Sequence, residues 1–407
     1  MRTKKIFFFI FIISLLARLA YVIPLSPAHL ASDSWEWRDI AAGILAGKGF
    51  GDAWRSPVYV FFLVFVYGIL GYSVLAVRIV QAIVSAFNAG LMFITGKKIF
   101  NKRIGFLSGL IFAFYPYFIF FTGDILAETL YTFFISLSVY TLLLNLEKDS
   151  LKTRIFCGVA LGLTSLTKGS FPPFFAFVFL WIFIRSKETF LKKIKIAASI
   201  FAVAFLTILP WSIRNCLYYG HFTLVSTGGA SFWLSNNPES IKLETVPAQN
   251  IKEDYWNQNF QHWPELRKKE IEKLGRIEAD KQFKREAWAF ILSSPGNYLK
   301  LMRMRLFHFW RLWPKIAPKR NKLVAKLTSG WILPFGWLGI ILSFKRHWRK
   351  TVILIFLFAT FSFVHMMFFS AVRYRVPIDP FIIIFASYTV FRLGEKLGIR
   401  LCAESTE

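Results

Sequence analysis

The feature that most constrains this chain is the recurrence of long apolar runs, at 6–23 (interrupted by Arg18 alone), 104–123 and 196–213. Each approaches or reaches the ~20 residues that carry a helix across the hydrocarbon of a bilayer. With 55% hydrophobic and 18% charged residues among 407, the chain holds more apolar matter than one water-soluble core requires. The runs are too many for one signal peptide. The first has the basic start of one (Arg2, Lys4, Lys5), but no small-residue cleavage site follows, so it reads as a retained span.

The formal net charge of +27 would suggest nucleic acid in a soluble protein, but most of these basic residues flank apolar runs. That distribution is the positive-inside signature, so the sequence calls for no nucleic-acid partner. Basic clusters place cytoplasmic loops at 2–5, 97–103, 147–154, 185–195 and 345–350, with a cytoplasmic tail at 392–407. Spans then read as 6–24, 77–96, 104–122, 126–146, 155–170, 172–184, 196–213, 328–344, 351–370 and 377–393, about ten helices with both termini inside. The run 58–70 is short for a crossing. Counting it as one would turn the basic clusters at 97–103 and 185–195 outward, so it is expected to be re-entrant or interfacial.

Three parts follow: a module 1–213 that includes a first outer loop (25–77), an outer loop region 214–327, and C-terminal spans with a cytoplasmic tail, 328–407. The first outer loop holds every acidic residue of the N-terminal quarter: Asp33, Glu36, Asp39 and Asp52. Within the second region, 252–288 reads as polar helix. The stretch 300–326 carries bases and no acids, interleaved with apolar and aromatic residues, as suits a helix lying against anionic head groups. Cys157, Cys216 and Cys402 lie far apart and form no disulfide or metal framework. Glycine loops of the Walker type, a Ser-His-Asp signature and a dinucleotide fingerprint are missing, so soluble nucleotide chemistry has no support.

Charged groups at the apolar boundary cost several kcal/mol unless partnered or wet. On this topology Asp33, Glu36, Arg55, Arg78, Asp124, Glu128, Lys168, Arg214, Arg373 and Arg375 all fall on the outer side. Asp124 and Glu128 are spaced i, i+4 and share a face if that stretch is helical; they either act together or pair separately with Arg78 or Lys168. Asp33 reads either as a catalytic acid or as the N-cap of a helix 34–46, with Glu36 completing a capping box. The arginines suit phosphate recognition, because a guanidinium is a rigid fork of donors. Otherwise Arg373 and Arg375 mark an interfacial helix end. Arg18 is expected to serve a buried carboxylate, and His365 to be a packing or hydrogen-bonding residue. No His/Cys/Asp cluster has metal-ligand spacing, although a shared carboxylate site can hold a divalent cation.

Four stretches then resemble a family. They are Asp33 with Trp37, Gly47-Lys48-Gly49-Phe50 and Arg55-Ser56-Pro57; Tyr115-Pro116 with Gly123-Asp124 and Glu128-Thr129-Leu130; Pro210-Trp211-Ser212-Ile213-Arg214-Asn215 with Tyr219-Gly220, Ser226-Thr227-Gly228-Gly229 and Asn236-Asn237-Pro238; and Arg373-Tyr374-Arg375-Val376-Pro377 with Pro380. Their order resembles the polyprenyl-phosphate-sugar-dependent glycosyltransferases of the GT-C class, protein O-mannosyltransferase-like and lipid A aminoarabinose transferase-like members of a family 39 kind. The resemblance implies an all-α polytopic GT-C-like bundle with juxtamembrane helices and a mixed loop region on the outer face. The expected reaction takes a sugar from a polyprenyl-phosphate donor to a protein, lipid or polysaccharide acceptor at the outer face of the cytoplasmic membrane.

Asp33 is then the group that acts on the acceptor hydroxyl, and Glu128 matches the second acid better than Asp124. Arg55, Arg214, Arg373, Arg375 and Lys168 are candidates for the donor phosphate. Where some relatives carry an acidic-basic pair before the loop proline, this chain has Arg55-Ser56, which weakens the case for a divalent cation there. Two other readings compete. A transporter or flippase of an anionic lipid or lipid-linked sugar would need a charged path continuing to the inner leaflet. A surface-polysaccharide polymerase or ligase would lean on Arg and His in the large loop, where His221, His262 and His308 are the histidines on offer.

Overall fold

The computed structural model describes residues 2–30, 33–53, 55–185, 188–226, 228–245, 274–315 and 319–397. Much of the polar helix expected at 252–288, with His262 and Cys402, therefore lies outside the described residues, which contain helices and turns and no strand. In chain order the helices are α1 (Thr3–Val22), α2 (Ser34–Leu45), α3 (Pro57–Leu70), α4 (Val74–Ile99), α5 (Lys102–Phe114), α6 (Pro116–Phe120), α7 (Glu128–Glu147), α8 (Leu151–Thr167) and α9 (Phe174–Arg185). After them come α10 (Phe190–Tyr219), α11 (Gly228–Ser235), α12 (Pro238–Thr245), α13 (Arg276–Ser293), α14 (Pro295–Phe309), α15 (Lys319–Met367), α16 (Val372–Arg375), a 3₁₀ turn (Val376–Ile378) and α17 (Asp379–Lys396).

Local chemistry sets several boundaries. Ser73, Asn101 and Ser150 accept from backbone amides at the starts of α4, α5 and α8, satisfying donors that a helix leaves open. Pro116 cannot continue the hydrogen-bond ladder, and α5 ends two residues before it. Among the described residues, six stretches are long and apolar enough to cross a membrane: Thr3–Val22, Val74–Ile99, Glu128–Glu147, Phe190–Tyr219, Asn321–Met367 and Val372–Lys396; Pro57–Leu70 and Phe174–Arg185 are apolar but shorter.

The helix α15 has 49 residues and would measure about 73 Å if straight. It turns back instead. The Trp310 ring lies 4.8 Å from Trp337 and 6.2 Å from Phe358, residues that a straight helix would hold about 31 Å apart. Its two arms flank the basic 345–350 stretch and match the runs read at 328–344 and 351–370. The basic stretch 300–326 is not one helix. It is divided between α14, which ends at Phe309, and the first turns of α15, and its Arg305 is buried.

The helix α3 stays near the outer loop. Tyr59, in its first turn, donates to Gln81 of α4 at 2.7 Å, while Gln81 donates to the Asp124 carbonyl. The start of α3 is thus tied through α4 to the segment that precedes α7.

Small residues let the helices approach closely, the usual device where lipid supplies no hydrophobic drive between them. A Cβ at Gly105 of α5 would stand 2.6 Å from the Lys97 amide nitrogen, and one at Gly158 of α8 would stand 2.6 Å from the Ile200 carbonyl of α10. Both neighbours are backbone and cannot swing away. Gly105→Val is expected to force α4 and α5 apart and cost about 1–3 kcal/mol, the usual range for overpacking. A thermal melt in lipid nanodiscs matching wild type would contradict this.

Arg18 corrects an expectation. It is fully buried, yet its partners are the Ser85 hydroxyl (2.7 Å), Ser14 and the Ala113 (2.9 Å) and Phe112 (3.4 Å) carbonyls, with no carboxylate among the described residues. It staples α1 to α4 and to the end of α5, where the last carbonyls of the helix can accept further donors. Arg78 does the same for the first loop, donating to the carbonyls of Leu25, Ser26, His29 and Gly123.

Candidate active site

Glu128 opens α7, and Lys168 caps the end of α8. The Glu128 side chain is 1% exposed, and an isolated carboxylate so placed would be very costly. Two cations offset that cost on a single oxygen: Lys168 Nζ lies 3.0 Å and Arg373 Nε 2.6 Å from Oε1. The other oxygen, Oε2, is buried with no hydrogen-bond partner among the described residues.

Arg373, on α16, carries the chain of charges further. Its Nη1 lies 3.0 Å from Asp33 Oδ2, a contact between residues 340 apart in sequence. Asp33 Oδ1 is 3.9 Å from Arg55, which also binds Glu36 at 2.6 Å and stacks over the Trp37 ring at 5.1 Å. Asp33 precedes α2 but makes no capping hydrogen bond. Its carboxylate points to Arg373 and that of Glu36 to Arg55, so the capping-box reading is set aside. Three carboxylates (Asp33, Glu36, Glu128) thus alternate with three cations (Arg55, Arg373, Lys168) from four separate parts of the chain. Aromatic rings wall the group: Lys168 lies 5.5 Å from the Tyr131 ring and 5.6 Å from Tyr374.

Other candidates lie elsewhere. Arg375, two residues from Arg373, is fully buried and pairs with Asp379 at 2.9 Å, while its Nη1 donates to the Phe309 and Arg311 carbonyls. Arg214 donates to the Gly51 carbonyl and to Asn215, among the rings of Phe50, Trp211 and Tyr218, and so secures the glycine-rich turn of the first loop. Asp124 precedes α7 and does not share a helical face with Glu128. Its carbonyl receives Gln81, and its charge faces Arg78. His365 is a packing residue, stacked on Tyr374 at 4.9 Å and on Phe309 at 5.5 Å with Nδ1 at the Phe369 carbonyl.

Sequence reasoning missed Tyr131, Tyr374 as a wall, and the Tyr59–Gln81 pair; the sole available signal was polar atoms within apolar runs. It also missed a second buried knot. There Arg305 binds Asn236 at 3.0 Å, Glu244 at 3.7 Å and the Met366 carbonyl at 3.3 Å, while His308 meets Glu244 at 2.9 Å. Burial lowers the Arg305 pKa from its ordinary value, and Glu244 opposes that shift. The Asn236-Asn237 motif works here, joining α11, α12 and α14 to the end of α15. No group of three or more His, Cys, Asp or Glu placed to hold a metal occurs among the described residues.

Comparison with known proteins agrees with this architecture. A family model described as dolichyl-phosphate-mannose-protein mannosyltransferase matches residues 54–213. No curated protein sequence matches. Among solved structures, the oligosaccharyltransferase AglB of Archaeoglobus fulgidus, with an inhibitory peptide and a dolichol-phosphate, superposes with TM-score 0.62 at 16% identity, covering 100% of this chain and 52% of that one. The same archaeal enzyme with zinc and sulfate gives 0.59 at 15%, covering 96% and 50%. ArnT of Cupriavidus metallidurans bound to undecaprenyl phosphate gives 0.59 at 13%, covering 95% and 60%. The chain spans about half the length of the archaeal enzyme. The chain thus shares the membrane fold of these solved structures, and its residues 54–213 match the mannosyltransferase family model.

Proposed function

We propose that the chain is a membrane glycosyltransferase that moves a sugar from a polyprenyl-phosphate donor to an acceptor hydroxyl at the outer face of the cytoplasmic membrane. The observation that carries this reading is the contact of one guanidinium, Arg373, with both Asp33 and Glu128. It joins a carboxylate that is partly exposed to fixed positive charge, at the ends of apolar helices. The lipid phosphates bound in the archaeal and Cupriavidus structures support the donor class.

A phosphate-linked sugar already carries a good leaving group, so the site must align the acceptor and neutralise charge on the departing phosphate. In the proposed step the acceptor hydroxyl gives its proton to Asp33 as its oxygen bonds to the anomeric carbon. The bond from that carbon to the phosphate oxygen breaks, and the phosphate leaves with the electron pair. Arg373 retains a free edge for it: among the described residues its Nη2 makes no hydrogen bond, since Nε and Nη1 are the nitrogens engaged. Arg55, beside Asp33, and Lys168, beside Glu128, add positive charge to the same cluster. Glu128 holds Arg373 and Lys168 in place and keeps the group near neutrality before donor arrives.

The test is reconstitution in proteoliposomes with labelled polyprenyl-phosphate sugars and a panel of hydroxyl acceptors. The expected result is equal amounts of polyprenyl phosphate and glycosylated acceptor. Label that changes leaflet with the donor intact would instead favour a flippase.

A further inference from the structure

A structural neighbour was solved in complex with zinc and sulfate, and two acidic residues in one site invite the expectation of a metal here. The residues present do not fit it. A divalent ion held by carboxylates needs several oxygens at about 2.0–2.6 Å. The space between Asp33 Oδ2 and Glu128 Oε1 is taken by the Arg373 guanidinium, 3.0 Å from the first and 2.6 Å from the second. Lys168 occupies another approach to Glu128 Oε1 at 3.0 Å, and Arg55 stands beside Asp33 at 3.9 Å. A metal ion entering there would meet three fixed positive charges, and of the two oxygens of the buried Glu128 only Oε2 would remain to receive it. His365, the histidine packed against Tyr374, is committed through Nδ1 to the Phe369 carbonyl.

We propose that Arg373 stands where a bridging divalent cation would stand between two carboxylates, so that this centre holds its charge with a guanidinium and binds no metal ion. A planar fork is suited to the task. Its Nε and Nη1 hold the two acids while Nη2 is left for an anion, and unlike a metal it survives chelation. The inference depends on the geometry of the cluster and not on the transfer reaction.

The experiment therefore reads metal binding directly. Wild type, Arg373→Gln, and Arg373→Gln combined with Asp33→Asn are purified in detergent, and Mn²⁺ alone is titrated against each by electron paramagnetic resonance, with a thermal melt of each sample. Wild type is expected to bind no stoichiometric Mn²⁺. Arg373→Gln, with the carboxylates exposed to each other, is expected to bind it at least about tenfold more tightly than wild type, since affinity follows the count of charged ligands, and to lose that gain with Asp33→Asn. One Mn²⁺ per wild-type chain that disappears in Asp33→Asn would overturn the proposal. So would an Arg373→Gln protein that melts like wild type and gains no Mn²⁺. If Arg373→Gln does not fold, the wild-type titration alone decides.

Discussion

Asp33→Asn is expected to lower sugar transfer by about 10²–10⁴-fold, the usual contribution of a positioned general base, with the melting temperature little changed. The asparagine keeps shape and some hydrogen bonding but loses the charge that takes the acceptor proton. Stability should hold because the Asp33 side chain is about one-third exposed and performs no capping that the fold depends on. Glu36→Gln is the control: its 50%-exposed carboxylate touches Arg55 and not Arg373, and exposed pairs of this kind are worth about 0–1 kcal/mol. Labelled-donor turnover and a melt in the same nanodiscs separate the effects. Equal turnover by Asp33→Asn and wild type removes Asp33 from its role.

The second large effect concerns stability. Arg375→Ala is expected to destabilise the protein by about 3–5 kcal/mol, because it leaves the Asp379 carboxylate buried and uncompensated. It also frees the Phe309 and Arg311 carbonyls that Arg375 holds, loosening the join between the end of α14 and the segment that presents Arg373. Activity should fall with stability. Replacing both partners, Arg375→Met with Asp379→Leu, should recover most of the melting temperature, since an apolar pair of similar volume removes the unpaired charge. A single variant that melts like wild type would show that the pair contributes little.

The different fates of Arg373 and Arg375 illustrate what a sequence can say. Charge placement alone groups both arginines with Asp33 and Glu128, and an ion pair across 340 residues joins Arg373 to Asp33. Which of two arginines two positions apart faces the cluster is a matter of rotation within the single turn Val372–Arg375. Periodicity cannot resolve one turn. A clue was present in Asp379, four residues beyond Arg375 and so on its helical face. Arg214 carried a similar clue: Trp211 and Tyr218, at i−3 and i+4, form its aromatic surround. Asp124 was grouped with Glu128 on the assumption of a continuous helix, but α7 begins at Glu128. The partners of Arg18 were beyond reach, because backbone carbonyls leave no mark in a sequence.

The measurement that bears most directly on the central claim is a cryo-electron microscopy map of the protein in nanodiscs with polyprenyl phosphate added. The account predicts phosphate density at the free edge of Arg373, with Arg55 and Lys168 beside it and Asp33 still within reach of the same pocket. Phosphate bound elsewhere, or Asp33 and Arg373 separated by packed apolar helices, would contradict it.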